Sequence, residues 1–228
     1  MRTEEDLSVL EGSLGYRFSD KSLLKQALTH SSYANEHRKE KLSDNERLEF
    51  LGDAILEMVS SDLLYHSRPD MKEGQLSKLR ASLVCEQALA LCAHEMNLMP
   101  FLYLGRGEDM TGGRFRDSIV SDAVESVIAA IFLDSGIEKA DHFIRTHILN
   151  DIEKRSLFVD SKSILQEYVQ AEGKTCRYEL VEEKGPDHDK WFTVACLIND
   201  KEICRGEGHT KKRAEQQAAY LTLQKIRG

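Results

Sequence analysis

The chain has 228 residues, 41% of them hydrophobic and 31% charged, with a formal net charge of −8. That balance belongs to a soluble globular protein long enough for one large core or two smaller ones. Met1-Arg-Thr-Glu-Glu-Asp is too charged for a signal peptide, and no apolar run is long enough to span a bilayer. The five cysteines (85, 92, 176, 196, 204) include no Cys-x-x-Cys pair, which argues against a disulfide framework or zinc ribbon and for a reducing, cytoplasmic setting.

From Leu7 to about Asn150 the apolar spacing is helical throughout. Leu23, Leu24, Ala27 and Leu28 form the first clear stripe, closed by Thr29-His30-Ser31-Ser32, and a polar run from Asn35 to Ser43 reads as a loop. The next helix begins at Asn45-Glu-Arg-Leu-Glu-Phe-Leu-Gly-Asp53, with Asp44 or Asn45 as its cap. Its Leu48, Phe50, Leu51, Ala54, Ile55 and Leu56 are expected to pack into a core, while Glu46, Glu49 and Asp53 share one face. Pro69 and Gly74 bracket a predicted turn that holds Glu73. Leucine stripes continue to Pro100, and residues 104–117, with four glycines, are predicted to be the longest loop. Asp122 and Glu125 then share a face, at spacing three, on a helix of otherwise small and apolar residues. A last helix is expected over about 138–154.

Near Ser156–Asp160 the pattern changes, and residues 155–160 read as a linker. Beyond it, Ser161–Ala171 is helical; Cys176, Tyr178 and Leu180, then Phe192, Val194, Cys196 and Ile198, alternate as strands. Asn199-Asp200-Lys201 is a turn, Ile203–Arg205 a third strand, and Thr210 caps a final helix. The expected architecture is an all-α domain over 1–154, followed by a small α+β domain of α-β-β-β-α order over 161–228. The twelve Lys/Arg and twelve Asp/Glu of residues 156–228 cancel, so the whole net charge lies in residues 1–155. Such an acidic region disfavours a polyanionic partner unless metal ions set the local field.

If the two acid-bearing helices pack side by side, Glu49, Asp53, Asp122 and Glu125 converge with no Lys or Arg between them. Like charges that close need a counter-ion, and hard oxygen donors favour Mg²⁺ or Mn²⁺ over zinc. The bland alternative is a set of surface acids that happen to face one way. A di-iron bundle needs Glu-x-x-His, which this chain lacks.

The stretch Asn45–Asp53 resembles the signature motif of the ribonuclease III family, and Gly112–Glu125 with Phe132-Leu-Asp-Ser135 resembles that family's second catalytic segment. The resemblance runs over essentially the full length. It implies that Glu49, Asp53, Asp122 and Glu125 hold metal, with Asp53 and Glu125 catalytic, and that Glu46 and Glu73 flank the site. Those two acids equally suit a helix start and a turn. Phe50 would lie at a homodimer interface, though it also reads as core.

The C-terminal module resembles a double-stranded RNA-binding domain. Ser163, Gln166 and Glu167 would then meet 2′-hydroxyls, and Pro186 and His188 would enter the next minor groove. Thr210, Lys211 and Lys212 would meet phosphates; a solvated helix turn is the plainer reading of that charge run. Arg106, Arg114 and Arg116 suit either an RNA backbone or an exposed loop. The family likeness implies Mg²⁺-dependent hydrolysis of both strands of duplex RNA, leaving 5′-phosphate and 3′-hydroxyl ends with short 3′ overhangs. It also implies processing of structured precursors such as ribosomal and messenger RNA, with no organic cofactor and no membrane. The rivals are an RNA-binding protein without activity and a scaffold whose acids serve solubility.

Overall fold

Asp117–Ser135, an almost unbroken run of small and apolar residues, forms the helix around which the first part of the chain is packed. In the computed structural model, which describes residues 4–187 and 189–227, eleven of its residues are buried. In chain order the helices are α1 (Glu4–Leu14), α2 (Lys21–Ala27), α3 (Ser31–Glu36), α4 (Glu46–Ser67), α5 (Glu73–Val84), α6 (Glu86–Glu95), α7 (Arg106–Met110), α8 (Asp117–Ser135) and α9 (Ile137–His147). α8 is the central member, flanked by α4, α6, α9 and α2, and α4 shares with it the most extensive contact. Leu10, Leu24, Leu56, Leu89, Ile128 and Ile131 lie in this one continuous core.

The start of α4 is fixed from three sides. The Asn45 amide donates to the Thr29 carbonyl at 2.9 Å. Thr29 is itself bridged to Tyr103. The Ser126 hydroxyl on α8 donates to the Asn45 carbonyl at 3.2 Å. Asn45 is the cap residue, yet the side chain that meets a first-turn amide is Asp44, which accepts from Glu46.

Contacts divide the chain after Ile152. The second unit holds α10 (Ile152–Ala171), an antiparallel sheet ordered β1 (Cys176–Lys184), β2 (Trp191–Ile198), β3 (Lys201–Gly208), and α11 (Lys211–Arg227). Leu165 and Val169 of α10 meet Cys196, Ala218, Ala219 and Leu223 in a separate core. Asn199 and Asp200, at φ 47° and 63°, make the tight β2–β3 turn, the two-residue form that matches strand twist. Gly206 lets β3 lie against α11, since a Cβ there would come within 2.1 Å of the Ala218 nitrogen.

Several expectations are corrected. Residues 155–160 are helical, part of α10, because Ser156–Asp160 holds no glycine or proline and Phe158 continues the apolar spacing. Glu73 opens α5, so it stands on a helix rather than in a turn. Residues 104–117 contain α7 and a 3-10 turn at Gly113–Phe115. Phe50 and Ala54 are not core: both are exposed on α4, Phe50 to 81%. The alternation in β2 also fails to leave one open face, since Thr193, Ala195 and Leu197 are buried as well. β2 is the central strand, and its cross-strand partners at Ala195 and Leu197, among them Glu179, Arg205 and Arg177, carry long side chains on that same face.

Candidate metal centre and nucleic-acid interface

A single glycine sets the geometry of the acid site. A Cβ on Gly52 would lie 1.8 Å from the Glu125 carbonyl oxygen, so only glycine lets the backbones of α4 and α8 approach this closely. One carboxylate oxygen from each of Glu49, Asp122 and Glu125 then falls within 4.8 Å of the others, and all three residues are half-buried. All three donors are carboxylate oxygens, the hard ligand chemistry that suits Mg²⁺, so these residues could hold such an ion. Asp53, one turn further along α4, is exposed and lies outside that tight trio. Its charge nevertheless acts on both Glu49 and Glu125.

Burial and mutual repulsion raise the carboxyls of this cluster. Burial first, then Asp53, Asp122, Glu49 and Glu57, push the Glu125 carboxyl up from 4.5 to about 8. Burial, then Asp122, Glu46 and Asp53, raise Glu49. Asp122 is raised by burial, although the Ser121 hydroxyl and the nearby His30 work against the rise. A group of acids that resist ionising together is one a divalent cation would satisfy.

Three neighbours of this site were not singled out in the sequence. Glu57 continues the Glu46–Glu49–Asp53 ladder at spacing four, so the signal was present. Its carboxylate is paired with Arg80 at 2.7 Å. Glu86 at the start of α6 and His30 ahead of α3 also act on Asp122. They come from other elements, and no spacing along the chain reveals them. Glu46 is exposed at the edge and acts on Glu49. Glu73 does not join the trio; it accepts from the Ser77 hydroxyl at 2.8 Å and lines a 660 Å³ hollow with Tyr65, Met71 and Arg80.

Arg114 is occupied. It pairs with Asp109 at 2.7 Å and donates to the carbonyls of Met99 and Leu102, so it staples the 99–114 region. Arg116 pairs with Glu108 at 2.6 Å, whereas the Arg106 side chain is exposed.

In the second unit Ser163, Gln166 and Glu167 are exposed on α10 at helical spacing. Thr210 caps α11 by accepting from the Arg213 amide at 3.2 Å. Lys211 and Lys212 are exposed at that start, and the Lys211 ammonium lies 5.7 Å from the centre of the Phe192 ring. Amides and cations gathered at a helix start form a phosphate-binding end. Pro186 is exposed in the β1–β2 turn, which Gly185 opens at φ 87°. His188 lies outside the described residues.

Residues 20–152 match the family model described as ribonuclease-III-like, and residues 161–226 match the double-stranded RNA binding motif. The chain is 47% identical to Ribonuclease 3 of Oceanobacillus iheyensis over 97% of its own length and 98% of that protein. Against Ribonuclease 3 of Caldanaerobacter subterraneus the identity is 48%, with 96% and 98% covered. Among solved structures it resembles the nuclease domain of ribonuclease III from Campylobacter jejuni, at 43% identity and a TM-score of 0.57. That match covers 63% of this chain and 99% of the other, whose description concerns flexibility in a region involved in dimer formation.

Proposed function

The chain belongs to the ribonuclease III family, and on that footing we propose that it hydrolyses both strands of double-stranded RNA with Mg²⁺, Mn²⁺ serving as substitute. The observation that carries this reading is the convergence of Glu49, Asp122 and Glu125 across the α4–α8 contact. With Asp53 beside them, these residues would hold the ion. Once bound, the ion supplies Lewis-acid stabilisation of the charge that builds on the phosphoryl and leaving oxygens. Glu125 and Asp53 are the two carboxylates assigned to the chemistry, Glu125 as the most strongly perturbed member and Asp53 as the one open to substrate. No Ser, His or Cys nucleophile is needed. Products would be 5′-phosphate and 3′-hydroxyl ends with short 3′ overhangs.

A homodimer is supported by the exposed stripe Phe50, Ala54, Met58 and Tyr65 along α4, with the 660 Å³ hollow at its far end. Apolar side chains so exposed on one helix mark a surface for association. Two sites in one dimer would also suit the cutting of two strands. α10 (through Ser163, Gln166 and Glu167), Pro186 and His188, and Thr210, Lys211 and Lys212 are the contacts proposed for A-form RNA, read by shape. Glu46 and Glu73 would act as accessory acids. Structured precursors of ribosomal and messenger RNA, in the cytoplasm, are the proposed substrates. No helix among the described residues is long and apolar enough to cross a membrane.

Labelled duplex RNA and duplex DNA, each incubated with Mg²⁺, Ca²⁺ or chelator, test the reading. We expect RNA alone to be cut, and only with Mg²⁺. Cutting that survives chelator, or that ignores the sugar, would refute it.

A further inference from the structure

We propose that a second cavity in the first unit, at the C-terminal end of α8, binds a small phosphate-bearing anion of about mononucleotide size. The cavity holds 430 Å³ and is lined by Tyr16, Arg17, Lys139, His142, Phe143 and Thr146, among others, with no Asp or Glu in its wall. That volume lies within the range of small-molecule sites. Arg17 and Lys139 make no ion pair among the described residues, although the first 155 residues carry the chain's whole net charge of −8.

Three carboxylates on the flanking elements are already engaged, and Glu138, beside Lys139 on α9, is not part of the wall. Asp134 accepts from the Tyr16 hydroxyl at 2.6 Å and from the Ser19 and Asp20 amides. Asp141 is paired with Arg145 at 2.9 Å, and Glu11 takes the Phe18 amide at 2.9 Å with Lys21 alongside. Among the described residues, two cations and the His142 imidazole thus line one concavity with no carboxylate in its wall. An oxyanion is the ligand class that such donors select. Thr146 adds a hydroxyl donor, and Tyr16 with the buried Phe143 adds an aromatic wall on which a base can rest.

The concavity favours a small ligand over a duplex backbone. A duplex is a convex rod that spreads its phosphates along a ridge, whereas these cations converge on one pocket. The cavity is also separate from the acid site, because Ser135 on its rim stands ten residues beyond Glu125, about 15 Å along α8. The inference does not depend on the nuclease assignment.

Calorimetric titration of the full chain, free of divalent metal and RNA, tests it with adenosine monophosphate, inorganic phosphate and adenosine as probes. We expect saturable binding of one adenosine monophosphate per chain, weaker binding of phosphate, and none of adenosine. Arg17→Ala with Lys139→Ala should weaken the nucleotide at least about tenfold, since each loses a charge-assisted hydrogen bond. Both side chains are exposed, so the melting temperature should stay within a degree or two. Glu125→Gln should leave nucleotide binding unchanged. The proposal is overturned by absence of saturation up to about 10 mM probe, or by equal affinity in the double variant. Loss of duplex-RNA affinity in that variant, with no small-anion binding by the parent, would instead make the cations an RNA contact.

Discussion

The acid cluster between α4 and α8 and the basic start of α11 handle charge in opposite ways. In the first, like charges are half-buried and pressed together by a backbone contact that Gly52 alone permits. In the second, exposed cations stand in a stretch, residues 156–228, whose acids and bases balance, and many of its other charges are paired on the surface. Buried like charges interact strongly and act as one unit, so removing any member should be felt by all. Exposed charges are screened and nearly independent, so their losses should be graded and salt-dependent.

The largest break in that contrast should come from the acids. Glu125→Gln or Asp53→Asn is expected to lower cleavage by at least about a thousandfold, a loss of several kcal/mol of charge stabilisation. Duplex binding measured without cleavage should stay near the parent's. Variants that cut at the parental rate would remove these two residues from the site.

Next in size is Gly52→Ala. The added methyl must separate α4 from α8, at a cost of about 1–3 kcal/mol of stability, read as a lower melting temperature. The Mg²⁺ response should fall with it. A variant as stable as the parent, with the same Mg²⁺ response, would mean that the close helix contact does not hold the acids together.

The smallest effect is expected at α11. Lys211→Ala with Lys212→Ala should weaken all duplexes alike and flatten the dependence of log affinity on log salt by about one to two. Cleavage chemistry at saturating RNA should be unchanged. A sequence-selective loss would indicate base readout instead of phosphate contact.

The same contrast governs what was legible in the sequence. The acid ladder, the Asn199-Asp200 turn and the Thr210 cap each depend on spacing within one element, and each is seen in the structure. Ala54, and Phe50 in its core reading, do not pack inward because α4 is apolar on more than one face, and spacing does not say which face meets α8. His30 and Glu86 reach the site from other elements, beyond the range of any local pattern. The carbonyls of Met99 and Leu102 that hold Arg114 belong to an earlier stretch of chain, so its spacing leaves an RNA contact and an exposed loop equally open. The helical stretch over 155–160 was readable from its lack of breakers, and the change in pattern beside it hid that signal.

Proton release on metal binding probes the acid cluster most directly. A carboxyl raised from 4.5 to about 8 binds more protons in the folded chain than in the unfolded one between those values. The metal-free protein should therefore lose stability as pH rises through that window, and a cation that needs the carboxylate should expel the proton. Mg²⁺ titrations at pH 7, in two buffers of different ionisation enthalpy, should report close to one proton released per site, and clearly less in Glu125→Gln. Mg²⁺ binding with no buffer dependence, or with equal release from parent and variant, would contradict the proposal that Glu125 is a protonated acid waiting for a divalent ion.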